Sequence, residues 1–330
     1  MPVISGQDVT FLGVPRATLA DPASFDQADI VIVGAPFDGG TTYRAGARFG
    51  PQAIRTADCD THNASRPHLA LRVDPLVDLR VVDAGDVDMR ADAIELRLRR
   101  LEEAVASIVQ ARAVPVVLGG DHSVTRANVR GVARHHGAGR IALIHFDAHA
   151  DTADVEYGSA YNHATPIRRL VEAGVVRGDR VVQIGLRGYW PGPEVLAWME
   201  ARGLRGMEMS EVVTRGLDAC LDEAIAIARD GCDGAYLTVA LDVADPAMAP
   251  GTGTPEPGGL TSRQLLDAVR RCALELPLVG LDVVEVAPPY DYGEVTAYLA
   301  NRVVLEALSG IAKRRSCSPL PAEIGYSVSR

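Results

Sequence analysis

Asp147, His149 and Asp151 occupy alternate positions in Asp147-Ala148-His149-Ala150-Asp151, and His122 follows a glycine pair in Gly119-Gly120-Asp121-His122-Ser123. In an extended chain, alternate side chains project to the same side. The spacing therefore predicts two carboxylates and an imidazole on one face. Burying such a set in an apolar interior is costly unless a cation neutralises it, and a divalent metal does so. With no thiolate among the donors, the set suits Mn, Fe, Ni or Zn. A lone D-x-H-x-D could equally be a capped surface turn. His122, emerging directly after a β-branched run, adds a second imidazole and favours the metal reading.

The elements that must carry these groups can be read from the β-branched runs. Strands are predicted at 28–35, 79–83, 114–118, 140–146, 180–185, 235–242 and 277–285, with helices such as 91–111, 128–136, 193–203 and 217–229 between them. Strand alternating with helix predicts parallel βαβ units and a sheet covered on both faces. Most runs are apolar throughout, as expected for strands buried on both sides. The expected fold class is α/β, a single-domain three-layer α/β/α arrangement with a mostly parallel central sheet. Ligands of such sheets bind beyond the carboxyl ends of the strands. GGDHS and DAHAD each follow a predicted strand there, while Asp242 and Glu285 each end one. His145 shares a side with Asp147 by strand parity, which leaves both support of a ligand and plain core packing open.

Composition narrows the function classes. The chain has 330 residues, 47% hydrophobic and 23% charged, with a formal net charge of −10. An acidic balance argues against a nucleic-acid partner, since phosphate binding needs excess Lys and Arg. No apolar run approaches the length of a membrane span, and no basic segment followed by an apolar run opens the N-terminus, so a cytoplasmic protein is expected. Cys59, Cys220, Cys232, Cys272 and Cys317 are dispersed and read as reduced thiols serving as small packing residues. Gly39-Gly40 lies in neither a G-x-x-x-x-G-K-S/T nor a G-x-G-x-x-G pattern, which excludes a nucleotide loop on sequence grounds. Residues 1–315 are read as one domain with an N-terminal arm, and 316–330 as a mobile tail without helical period.

GGDHS, then HFDAHAD (145–151), then LDVADPAMAPGTGTPEPGG (241–259) resemble the ureohydrolases: arginase, agmatinase and the related guanidino-acid hydrolases. GAPFD (34–38), RAGARFGP (44–51) and LDVVE (281–285) extend the resemblance from about Asp29 to Arg315, and PGTGTPEPGGL (250–260) places it nearer the agmatinase branch. The resemblance implies hydrolysis of a guanidino compound to urea and an amine by a hydroxide held between two Mn²⁺ ions. By position, His122, Asp147 and Asp151 would serve one ion, and Asp147, His149 and Asp242 the other. His163 matches the family's proton-transfer histidine, although Ala164 stands where Gly is more usual. Glu285 matches the carboxylate that holds the guanidinium. The resemblance further implies a homo-oligomer, trimer or hexamer, while charge and the absence of an apolar span already argue against nucleic-acid and membrane partners.

One position departs from the pattern. Counting back from Asp245-Pro246, the family's bridging aspartate falls on Ala240, which on a continuous strand lies on the same side as Asp242. Three explanations stand: an engineered inactivation, a natural non-catalytic relative, and a natural one-metal or altered-metal enzyme. The competing functions are a single-metal amide hydrolase of the deacetylase type and a non-catalytic guanidino-binding protein. Specificity for the substrate's far end is expected from the rim loops around 154–159 and 189–194. Gly188-Tyr189-Trp190-Pro191 reads either as an aromatic wall or as core packing, and the 250–259 loop either shapes the entrance or closes a turn.

Overall fold

The strand prediction rests on residues such as Ile30–Gly34, all five of which are buried. In the computed structural model, which describes residues 9–58, 66–90 and 93–317, that segment is β1 of an eight-stranded sheet. The other strands are β2 (Val81–Asp86), β3 (Val114–Leu118), β4 (Ile141–Phe146), β5 (Val181–Leu186), β6 (Arg205–Glu208), β7 (Gly234–Ala240) and β8 (Leu278–Val284). Their order is β2-β1-β3-β8-β7-β4-β5-β6, and every ladder is parallel. The expectation of a mostly parallel sheet is thus met without an antiparallel exception. β6 escaped the sequence reading because Arg-Gly-Met-Glu holds no β-branched residue and forms only an edge.

Ten helices follow in chain order among the described residues. They are α1 (Gly50–Thr56), α2 (Pro75–Asp78), α3 (Ile94–Gln110), α4 (Val124–His136), α5 (Pro166–Glu172), α6 (Pro193–Ala201), α7 (Met209–Arg215), α8 (Leu217–Arg229), α9 (Ser262–Glu275) and α10 (Val295–Cys317). α3, α4 and α5 cover one sheet face. α1 and α7–α10 cover the other, so two apolar cores sandwich the strands. α9 opens on a capping box: Thr261 accepts from the Gln264 amide at 3.2 Å while the Gln264 side chain accepts from the Thr261 amide at 2.9 Å. α4 begins at Val124, four residues before the predicted start. α10 extends through Ser316 and Cys317, so those two residues of the predicted tail are helical, and 318–330 lie outside the described residues. Cys220 and Cys272 are buried as expected, Cys317 is exposed, and Cys59 lies outside the described residues.

This topology makes β3, β8, β7 and β4 adjacent at the centre of the sheet, although their order in the chain is quite different. Register then aligns one row across four strands: Gln183 of β5 beside His145 of β4, His145 beside Thr238 of β7, and Thr238 beside Asp282 of β8. All four are fully buried. A row of polar groups through a core is stable only if each finds hydrogen-bond partners, and the partners lead to the strand ends.

Candidate metal centre and cavity

The glycine pair after β3 is required by space. A Cβ on Gly120 would lie 1.7 Å from the Phe37 carbonyl oxygen, and one on Gly119 would lie 2.5 Å from a Val284 methyl. Neither residue has a positive φ, so the pair serves close approach and not a turn that only glycine could make. That approach brings the His122 amide to Glu285 Oε1 at 2.8 Å and the Glu285 amide to the Gly120 carbonyl at 2.9 Å. The neighbouring Asp121 is fully buried and accepts from the Gly40 amide at 2.7 Å. Burial and the charge of Glu285 push its carboxyl up to about 6. It ties the Gly39–Thr42 loop to the site, a task that the sequence reading did not assign.

β4 ends at Phe146, and residues 147–151 form an irregular loop with Asp151 at φ +52°. The predicted period-two strand is therefore corrected. The groups converge because the loop turns back, and not because they alternate. His122 Nδ1 lies 2.7 Å from Asp147 Oδ2 and 2.9 Å from Asp151 Oδ2. On the other side, His149 Nδ1 lies 3.2 Å from Asp147 Oδ1 and 3.5 Å from Asp242 Oδ2. Asp242 comes from the short 3-10 turn Leu241–Val243 after β7, which corrects the expectation that it extends the strand from Ala240. Ala240 is the last residue of β7, fully buried and paired with Val284.

Buried outer contacts orient these groups. Thr125 Oγ1 donates to Asp282 Oδ2 at 2.9 Å and lies 3.3 Å from Thr238 Oγ1, which in turn lies 2.8 Å from His122 Nε2. A hydroxyl has one proton to give. With Thr125 donating to Asp282, Thr238 donates to Thr125 and accepts from His122 Nε2–H. The neutral imidazole then keeps its Nδ1 lone pair for the site. On β5, Gln183 Nε2 donates to the Ala150 carbonyl at 2.6 Å and to His145 Nδ1 at 2.8 Å, so His145 Nε2–H donates to Asp147 Oδ2 at 2.9 Å. Of the two readings left open for His145, the contacts select support of Asp147. Gln183, Thr125 and Thr238 were missed because only register reveals that they share a row.

Electrostatics mark the cluster as incomplete. Burial opposes charge at Asp147, but bonds from His122, His145 and His149 hold its carboxyl well below the usual range. Burial likewise opposes charge at His122 and His149, yet their carboxylate neighbours raise both well above the ordinary imidazole value. Burial and the charge of Asp147 push Asp242 up to about 7. His122 Nδ1 nevertheless makes no directed hydrogen bond, although it is buried between two carboxylate oxygens. A buried orphan nitrogen, flanked by hard oxygen donors and held in the right tautomer, fits a divalent cation. Two donor groups emerge: His122, His145, Asp147 and Asp151, and Asp147, His149 and Asp242, with Asp147 common to both.

Both groups open into a cavity of about 490 Å³ that also holds His163 and Glu285. His163 Nδ1 lies 3.1 Å from Glu285 Oε1, and its Nε2 lies 2.7 Å from Thr42 Oγ1 and 3.2 Å from the Thr42 amide. Burial lowers the affinity of His163 for a second proton, whereas Glu285, Asp121 and Asp151 raise its pKa to about 9. The Thr42 N–H, which needs a lone pair at Nε2, favours the neutral ring. Glu285 adopts φ +61°, a strained conformation that recurs at functional sites. Its Oε2 is buried without a hydrogen-bond partner. The rim loops contribute Asp154–Tyr157 and Trp190–Gly192, and Trp190 is 71% exposed, which rules out core packing for it. Arg187 donates to the carbonyls of Gly185, Asp242, Val243, Ala244, Glu256 and Pro257, pinning the 250–259 loop whose Thr254 lines the entrance. A larger surface depression of about 820 Å³ beside Asp38, Arg48 and Arg97 shares no lining residue with this cavity.

With the site in place, comparison with known proteins becomes informative. The sequence pattern of the arginase family matches residues 28–310. The chain belongs to the arginase family. It is 39% identical to proclavaminate amidinohydrolase of Streptomyces clavuligerus over 86% of this chain and 88% of that one. The solved structure of that enzyme superposes with a TM-score of 0.82 over 92% of this chain and 97% of its own. Guanidinopropionase of Pseudomonas aeruginosa is 40% identical over 92% of each chain. Formiminoglutamase of Trypanosoma cruzi, solved with Mn²⁺, is 26% identical and superposes with a TM-score of 0.78 over 89% of this chain and 98% of its own. This member of the arginase family is thus built as a metal-dependent hydrolase whose relatives include an amidinohydrolase and a guanidinopropionase. Among its described residues, no helix is long and apolar enough to cross a membrane.

Proposed function

We propose that this chain is an amidinohydrolase cleaving a guanidino compound to urea and an amine, with its metal loading weakened by Ala240. The observation that carries the reading is Glu285. One oxygen is engaged by the His122 amide and His163, and the other is buried, unpartnered and placed at the cavity. A free buried carboxylate oxygen calls for a cationic N–H donor, and a guanidinium is shaped to supply one. His122, Asp147, Asp151, His149 and Asp242 would hold the metals. When bound, a divalent pair supplies the Lewis acidity that makes water a nucleophile near neutral pH. Glu285 orients the guanidinium carbon toward that water. His163 takes up the proton that the attacking water sheds and passes it to the departing nitrogen, so that the C–N bond breaks to a neutral amine.

Ala240 bears on loading. Asp147, Asp151 and Asp242 bring three negative charges to a site that two divalent ions would give four positive ones. An aspartate at 240 would balance the count and add a donor on the face where Thr238 meets His122. The deacetylase-type reading is disfavoured because one metal needs neither the second donor group nor Glu285. A non-catalytic guanidino-binding role is favoured by Ala240 alone. Use of Mn²⁺, assembly as a trimer or hexamer and a cytoplasmic setting belong to the same proposal. The test is metal content and urea release from a panel of guanidino compounds, comparing this chain with Ala240→Asp, both supplied with Mn²⁺. Urea from the Asp variant, with less from the chain itself, supports the reading. Urea from neither, with metals bound, would sink it.

A further inference from the structure

The rim of the cavity carries more carboxylates than the reaction needs, with no Lys or Arg among its described lining residues. Resting on the amidinohydrolase reading, we infer that the guanidinium is carried on a chain whose far end is cationic, with Glu156 and Glu194 as the residues that select it. Beyond the metal-site groups and Glu285, the lining includes Asp154, Glu156 and Glu194, and among the described residues no Lys or Arg lines it.

These three carboxylates are not equivalent. Asp154 is held by Arg168 and Arg169, and its charge is largely spent. Glu156 and Glu194 have no hydrogen bond or ion pair to their carboxylates among the described residues. The Glu156 loop is nevertheless ordered by its backbone: Glu156 and Ser159 exchange two hydrogen bonds at 3.0 Å, and the Glu156 carbonyl accepts from Asn162 Nδ2 at 2.9 Å. The carboxylate is thus offered from a fixed loop and has no partner of its own.

Glu285 supplies an independent anchor for the other end of the ligand. Its buried, unpartnered Oε2 fixes where the guanidinium sits, so the tail must extend past Tyr157 and Trp190 toward the rim. Both are exposed, at 84% and 71%, and present π faces that attract an ammonium as readily as they pack methylenes. At the rim a tail carboxylate would meet Asp154, Glu156 and Glu194 and no Lys or Arg of the described lining, a repulsion that a low-dielectric cleft amplifies. The arginines around the site are engaged elsewhere: Arg187 is committed to backbone carbonyls, and Arg168 and Arg169 pair with Asp154 and Glu172. The N-terminus of α6 opens on the same rim, but Glu194 in its first turn already offsets the attraction that the helix end has for an anion.

Equilibrium binding tests this without requiring turnover. Agmatine (ammonium tail), butylguanidine (neutral tail) and 4-guanidinobutyrate (carboxylate tail) are titrated calorimetrically into the full chain, with and without Mn²⁺. Agmatine should bind about tenfold or more tighter than 4-guanidinobutyrate, with the gap shrinking at high salt. Glu156→Gln combined with Glu194→Gln should remove most of agmatine's advantage over butylguanidine while leaving butylguanidine binding unchanged. If 4-guanidinobutyrate binds as well as agmatine, or the double variant keeps agmatine's advantage, the tail assignment is wrong although the guanidino reading survives. If none of the three binds to this chain or to Ala240→Asp, the amidinohydrolase reading itself fails.

Discussion

Ala240→Asp should change the stability of this protein in opposite directions with and without metal. Ala240 is fully buried, and strand alternation puts it on the face of Thr238, which contacts His122. An aspartate there enters a site that already holds Asp147 and Asp242, and Asp242 is pushed up to about 7 by burial and the charge of Asp147. In the absence of metal a buried uncompensated charge costs ~3–5 kcal/mol. Unfolding entropy of ~2.1 cal/mol/K per residue gives ~0.7 kcal/mol/K for a chain of 330 residues. The metal-free variant should therefore melt about 4–7 °C below the parent. Bound Mn²⁺ turns the same carboxylate into a ligand, so the variant should recover to the parent's melting temperature or above it. The Mn²⁺-induced rise should then exceed the parent's by at least about 4–7 °C. The assay is scanning calorimetry near pH 8, where protonation gives the new carboxylate least escape, with EDTA or saturating Mn²⁺. Equal loss with and without Mn²⁺ would refute the ligand argument, because the carboxylate would then be buried without meeting a metal. No loss in EDTA would show that position 240 does not face the cluster.

Other predictions follow from the same contacts. Thr238→Val cuts the path from Asp282 through Thr125 to His122, and metal affinity should fall about 10–100-fold. Thr238→Ser should restore it, and imidazole ¹⁵N shifts should report loss of the Nε2–H tautomer in the Val variant only. Unchanged affinity and tautomer in Thr238→Val would remove the role assigned to this row. Metal affinity should also climb with pH through neutrality. His122 and His149 have raised pKa values, and Asp242 is pushed up to about 7, so below neutrality all three hold protons in the metal-free protein that a cation must displace. Raising the pH removes those protons beforehand. Calorimetry in buffers of different ionisation enthalpy should detect proton release on Mn²⁺ binding, and a flat affinity with no release would count against these three as ligands.

Much of the site was legible in the sequence because its chemistry is local. GGDHS and DAHAD place donors within a few residues of a strand end, and the strands themselves announce their ends through β-branched runs such as Val114–Leu118 and Ile141–Phe146. His122, Asp147, His149, Asp151, Asp242 and Glu285 were therefore nameable from the strand ends and His163 from its resemblance to the family motif, and the structure brings all seven to one cavity. The period-two argument that grouped Asp147, His149 and Asp151 was nevertheless mistaken in its geometry. It assumed extended chain where β4 has already ended, and an irregular loop with Asp151 at positive φ does the gathering.

What the tertiary structure alone decided is non-local. Strand order puts β8 between β3 and β7, and nothing in the spacing of GGDHS and LDVVE encodes that adjacency. Inter-strand register, set by packing of both sheet faces, then aligns Gln183, His145, Thr238 and Asp282. Each of these alone is an ordinary residue in an apolar run, and only the row gives His122 its tautomer and Asp147 its orientation. The carboxylates of the cavity rim are likewise contributed by two loops, 154–157 and 190–195, which lie far apart in the chain. Sequence determines which donors exist, because ligand chemistry resides in side chains. The fold determines which of them share a proton or a cation, because hydrogen bonds and Coulomb forces depend on distances that only the packed sheet sets.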